Sequence, residues 1–179
     1  MEVFVHKPPQ KRTVTINGER YFLTIPHVLY VMRYLKSTYD LQPYSLRKLH
    51  VFFKSRKIRI ETSEKVCRPF LGNCHFNAEI CLDKKTKYAA FKRLEDMAAY
   101  AIDSYWSSEF NNDLEFVNMN FLRKWQKDTK EKGFFNYEEE YNKYLNSVSD
   151  SVIEGDLSLG VINIVKTPFV LELNDESSH

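Results

Sequence analysis

Leu71-Gly72-Asn73-Cys74-His75-Phe76-Asn77-Ala78-Glu79-Ile80-Cys81-Leu82-Asp83 lies near the middle of a 179-residue chain and separates two kinds of pattern. Before it, short apolar runs alternate with turn residues. After it, apolar residues recur at helical spacing. Thr13-Val14-Thr15-Ile16, Asn17-Gly18 and Tyr21-Phe22-Leu23 make a β-hairpin signal, because Asn-Gly accepts the positive dihedrals of a two-residue turn. Met1 to Val5 is a further short apolar stretch, ended by His6 and Pro8-Pro9. Leu49 to Phe53 and Lys57 to Ile60 read as two strands or one bent strand, with Tyr39 to Pro43 as a connector ahead of them. His27 to Lys36 is ambiguous: Val28, Val31, Met32 and Leu35 fit a helical stripe behind Pro26, a buried strand would read the same way, and the helix is favoured.

Downstream, Lys87 to Trp106 keeps Phe91, Leu94, Ala98, Ile102 and Tyr105 on one face with no proline or glycine. Phe116 to Lys130 reads as a second helix with Val117, Phe121 and Trp125 inward, stopped by Gly133. Asn136 is set to cap a third helix, with Glu138 to Glu140 in the first turn, where the macrodipole favours acids, and Tyr141, Tyr144 and Leu145 facing inward. Leu159 to Val165 and Phe169 to Leu173 read as short strands separated by Pro168, and 174–179 as a polar tail. Strands first and helices after predict an α+β fold, an antiparallel β-meander packed against α-helices. We expect a single domain over 1–179: a β-rich part at 1–83, a helical part at 84–150, and C-terminal strands and tail at 151–179.

Composition excludes several classes. Hydrophobic residues make up 43% and charged residues 28%, which is ordinary for a globular domain and too apolar for a disordered one. The net charge of +2 is too small to argue for nucleic acid, and the Lys54, Arg56, Lys57, Arg59 cluster reads as a solvated strand face. No apolar run reaches a membrane span, and Met1 to Gln10 lacks a signal-peptide core, so no membrane and a cytoplasmic location are expected. No Gly-rich phosphate loop, Gly-x-Ser-x-Gly elbow or His-Glu-x-x-His pair is present.

The cysteines are Cys67, Cys74 and Cys81, spaced by seven. An odd number in this context points to reduced thiols, and the spacing matches no Cys-x-x-Cys knuckle, so no metal and no cofactor are expected. An exposed thiol can carry a thioester, and an amide side chain held nearby could donate to the oxyanion when that thioester is attacked. Asn73, eight residues before Cys81, is the amide in question. His75 lies between them, but nothing in the sequence supplies the third, orienting group of a cysteine hydrolase. The alternative is a strand end holding a small buried cysteine.

The segment resembles the active-site stretch of the ubiquitin-conjugating enzymes, which reads approximately His-Pro-Asn-Ile-x-x-x-Gly-x-Ile-Cys-Leu-Asp. Asn73 falls on the motif asparagine, and Ile80-Cys81-Leu82-Asp83 on its end. Asn77 falls where a turn residue is common. Leu71-Gly72 replaces His-Pro, and Ala78 replaces the glycine. Tyr105-Trp106-Ser107-Ser108-Glu109-Phe110-Asn111-Asn112-Asp113 is similar to a stretch downstream of the cysteine in bacterial relatives. The resemblance implies a conjugating-enzyme-like fold. It also implies that Cys81 takes a ubiquitin-like modifier from an activating enzyme and passes it to an amine. Asn73 would support the loop or the oxyanion, with Asp83 and Asn77 near the incoming amine. The replaced residues and the extra elements after Asp113 fit a second expectation: a catalytically silent module of the same fold that binds partners or builds an assembly. If phage-encoded, that module would be virion-associated.

Overall fold

The computed structural model describes residues 1–57, 66–75, 78–111, 118–148 and 170–171. Five strands come first: β1 Glu2–Lys7, β2 Gln10–Ile16, β3 Glu19–Ile25, β4 His27–Lys36 and β5 Tyr44–Lys54. They are followed by α1 Lys84–Tyr88, β6 Ala90–Phe91, α2 Leu94–Ser107, α3 Met119–Lys132, α4 Tyr137–Val148 and β7 Val170–Leu171. The fold is α+β. One sheet runs in the order β6-β5-β4-β1-β7, and β2-β3 pair separately. Among the described residues these strands pair antiparallel except for the two-residue parallel contact of β7 with β1.

The first four strands are one long hairpin folded in the middle. Asn17 (φ 50°) and Gly18 (φ 79°) make its turn. The register is unbroken along it: Ile16 faces Glu19, Gln10 faces Ile25, Lys7 faces Val28 and Glu2 faces Arg33. At the gap, Pro8 and Pro9 meet Pro26 and His27. Proline has no N–H to give the ladder, so pairing lapses there and the ribbon creases, dividing β2-β3 from the main sheet.

The creased part lies on α3. The Phe22 amide donates to Gln126 Oε1 (2.9 Å), the Thr24 amide to Thr129 Oγ1 (3.0 Å), and Trp125 Nε1 to the Thr24 carbonyl (3.0 Å). On β4, the Tyr30 hydroxyl accepts from Trp106 Nε1 at 2.6 Å, while the Arg12 guanidinium covers the Trp106 ring. Fully buried Trp125 centres an aromatic cluster with Phe53, Phe121, Phe135 and Tyr137, its rings in edge-on or stacked contact at 4.9–6.2 Å. Such pairs add about 0.5–1.5 kcal/mol each beyond the area they bury.

Three readings change. His27–Lys36 is strand β4, not a helix. It is the central strand, paired with β1 and β5, and Val28 to Met32 are buried without alternation. A strand covered on both faces loses the period of two and mimics a helical stripe. The stretch from Lys87 to Trp106 is broken: α1 ends at Tyr88, Phe91 belongs to β6 beside Tyr44 and Ser45, and α2 starts at Leu94. Lys54 is only 2% exposed, so the basic cluster is not wholly a solvated face, although Arg56 and Lys57 are exposed.

The later helices match their reading. Asn118 caps α3 by accepting from the Phe121 amide, and Gly133 (φ 76°) ends it in the left-handed conformation. At α4, Asn136 acts through Ser55: the Ser55 hydroxyl donates to Asn136 Oδ1 and accepts the Glu138 amide. Lys57 to Ile60 beyond Lys57, Phe116 and Val117, and all of both C-terminal strands but Val170–Leu171 lie outside the described residues. Among the described residues no helix is long and apolar enough to cross a membrane.

Candidate functional site

The segment before Cys81 is held from three sides. Cys67 exchanges both backbone hydrogen bonds with Phe53 (2.7 and 2.9 Å), which ties the segment to the end of β5. The fully buried Tyr137 hydroxyl then accepts from the Phe70 amide (2.8 Å) and donates to the Arg68 carbonyl (2.9 Å). One α4 side chain thereby satisfies two backbone groups that would otherwise be buried and unpaired. Gly72 turns the chain at φ 90°, and a Cβ there would lie 2.2 Å from the Asn111 carbonyl oxygen. Only glycine meets both the dihedral and the contact.

Beyond Gly72 the chain forms a small two-stranded turn. Cys74 pairs with Ile80, the His75 amide donates to the Glu79 carbonyl (2.8 Å), and the Cys81 amide donates to the Asn73 carbonyl (3.0 Å). The returning arm lies along β5, with the Ile80 amide on the Leu49 carbonyl and the Val51 amide on the Ala78 carbonyl. Side chains therefore alternate. Cys74, Ala78 and Ile80 are buried, while His75 and Cys81 are exposed and Asn73 and Glu79 half-buried. A Glu79–Lys48 ion pair at 2.8 Å ties the outer face to β5.

Asn73 and Cys81 are thus brought together, facing each other through the backbone. The Asn73 carboxamide, however, is engaged elsewhere. Its Nδ2 donates to the Glu109 carbonyl (2.8 Å) and its Oδ1 accepts from the Asn111 amide (3.3 Å). It clamps the turn to the exit of α2, a loop-supporting geometry. That exit is itself fixed by the hairpin tip: the Phe110 amide donates to the Thr15 carbonyl (3.0 Å), and the Asn17 amide to the Phe110 carbonyl (2.8 Å). Asn73 (φ 52°) and Ala78 (φ 63°) both occupy the left-handed region. Asparagine tolerates it, whereas alanine is strained there. Ala78 sits where the resembled motif has its glycine.

Asp83 is exposed and its carboxylate is engaged locally. It caps α1, accepting the Thr86 amide on Oδ1 at 2.6 Å, and that bond above all holds its carboxyl below the ordinary range. Asn77 lies outside the described residues. The other two thiols are enclosed. Burial, ahead of the Glu138 charge, pushes Cys67 up to about 12, and the Cys74 thiol points to the His75 carbonyl at 3.4 Å. No group of three or more metal-ligating side chains occurs among the described residues.

Sequence reasoning missed Tyr137 and the backbone of Glu109 and Asn111 as parts of this site. A buried tyrosine must place its hydroxyl, but sequence gives no direction for it. Gly72 was legible only as a replacement in the motif, because its partner Asn111 is remote in sequence. Compared with protein-family models, curated proteins and solved structures, the chain matches none.

Proposed function

We propose that the chain is a conjugating-enzyme-like carrier that holds a ubiquitin-like modifier as a thioester on Cys81. The observation that carries this reading is the exposure of Cys81 directly opposite Asn73, while Cys67 and Cys74 are buried. In the first step the Cys81 thiolate attacks the thioester carbonyl of a charged activating enzyme, whose own thiolate leaves. In the second step an amine attacks, an amide forms, and the Cys81 sulfur departs and is reprotonated. Neither step calls for a metal or a dissociable cofactor. Asn73 is a positioning residue in this account: it anchors the turn to the α2 exit rather than donating to an oxyanion.

A second reading has its own support. Ala78 strained at φ 63° and the committed Asn73 carboxamide favour a catalytically silent module of similar architecture that binds protein partners. Incubation with a peptide α-thioester, read by intact mass and peptide mapping, separates the two. The carrier reading predicts an acyl adduct on Cys81 that free lysine then removes. An unmodified Cys81 under conditions that acylate a free cysteine peptide favours the silent module.

A further inference from the structure

The crease in the long hairpin carries a pair of histidines whose surroundings favour their neutral forms. His6 on β1 and His27 on β4 are diagonal neighbours at the main-sheet edge of the pairing gap at Pro8, Pro9 and Pro26, and their rings stack at 5.1 Å with planes 16° apart. Both are half-buried, yet His6 Nε2 and His27 Nδ1 are each fully enclosed without a hydrogen-bond partner among the described residues. A neutral imidazole that carries its proton on the other nitrogen leaves only an unpaired lone pair at the enclosed one. An imidazolium carries protons on both nitrogens, so the enclosed N–H would have no acceptor.

The charges around the pair act in the same direction. Burial comes first for both rings; Lys57 beyond β5 further opposes protonation of both, and a charge on His27 opposes protonation of His6. Lys54 stands opposite His27 in the β4–β5 register, and Lys7 adjoins His6 on β1. Two like charges with ring centres 5.1 Å apart titrate as a coupled pair, the second proton being the harder to add.

We propose that this crease is a proton-sensitive hinge: acidification charges the stacked rings, opens the crease, and loosens β2-β3 from the exit of α2. The consequence reaches further than the hinge. The β2-β3 tip holds Phe110 through Thr15 and Asn17, and the residues on either side of Phe110 hold Asn73. The proposal is independent of what Cys81 does. Burial, the first cause, lowers both histidines below the ordinary imidazole value. The unfolded or opened chain therefore takes up protons first as pH falls, and the closed crease weakens from about pH 6.5 downward.

Hydrogen exchange of the whole chain at about pH 7.5 and about pH 5, corrected for the intrinsic rates, tests this on either side of the imidazole range. Opening at Lys7, Gln10 and Val28 should rise up to about tenfold for each pH unit by which the closed state resists a proton, and the Phe110 amide should follow. The His6→Gln/His27→Gln variant should lose that excess. Where the double variant does not fold, titration of the two rings in the unaltered chain by NMR decides the matter. Midpoints below about 6.5 for both support the hinge. Midpoints at or above it, or exchange at the crease and at Phe110 that is unchanged between the two pH values, overturn it.

Discussion

The Cys81 amide donates to the Asn73 carbonyl at 3.0 Å, so the exposed thiol and the asparagine eight residues before it are paired across a two-stranded turn. Asn73 then turns its carboxamide away, to the Glu109 carbonyl and the Asn111 amide. The position of Cys81 is therefore tied to the exit of α2 as well as to β5.

Replacing Asn73 separates its two contributions. Asn73→Ala removes both side-chain hydrogen bonds and puts alanine at φ 52°, and it should cost about 2–4 kcal/mol in urea unfolding. Asn73→Gly relieves the dihedral but not the lost bonds, so it should recover about 1 kcal/mol of that. Equal losses in the two variants would mean that the left-handed backbone at Asn73 carries no strain.

Gly72→Ala should be among the most damaging single changes. The new Cβ meets the Asn111 backbone at 2.2 Å, and φ is 90°. A backbone carbonyl cannot swing aside as a side-chain tip can. We expect a loss of about 3 kcal/mol or more, or failure to fold. A variant within about 0.5 kcal/mol of the parent, as for an ordinary surface change, would show that the turn is not packed on Asn111.

Tyr137→Phe keeps the ring in its aromatic cluster and removes only the oxygen that bridges Phe70 and Arg68. The buried Phe70 amide then lacks an acceptor, at about 1–3 kcal/mol. The Phe70 amide should also lose exchange protection before the Trp125 region does. Uniform loss across the chain would argue against a local staple.

Asp83 gives a pH dependence of known sign. Its carboxyl is held below the ordinary value by the Thr86 amide, so its contribution is fully present above about pH 3.9 and fades as pH falls through the lower, folded value. NMR titration of the Asp83 carboxyl should give a midpoint below about 3.9. Asp83→Asn should keep α1 capped, whereas Asp83→Ala should fray it.

Sequence made the hairpin legible, because Asn17-Gly18 imposes its turn locally. It also made α3 legible, through the inward Phe121 and Trp125 and the Gly133 stop, and the inward face of α4, but not the Asn118 cap that starts α3. It misread β4 because burial on both faces erased the alternation that marks a strand. It missed the end of α1 at Tyr88 because β6 is set by Tyr44 and Ser45, more than forty residues earlier. Within the site, sequence brought Asn73 and Cys81 into one turn, but it did not show that they meet through their backbones. The clamp on the α2 exit did not, since it depends on backbone groups that any residues could supply.

The central claim is that Cys81 is the accessible thiol of the three. Alkylation of the native chain with iodoacetamide, quantified peptide by peptide with Cys81→Ser as control, tests it most directly. Buried thiols react only through opening, so Cys81 should label at least about a hundredfold faster than Cys67 and Cys74. Labelling of Cys81 as slow as that of the two buried thiols would contradict the account.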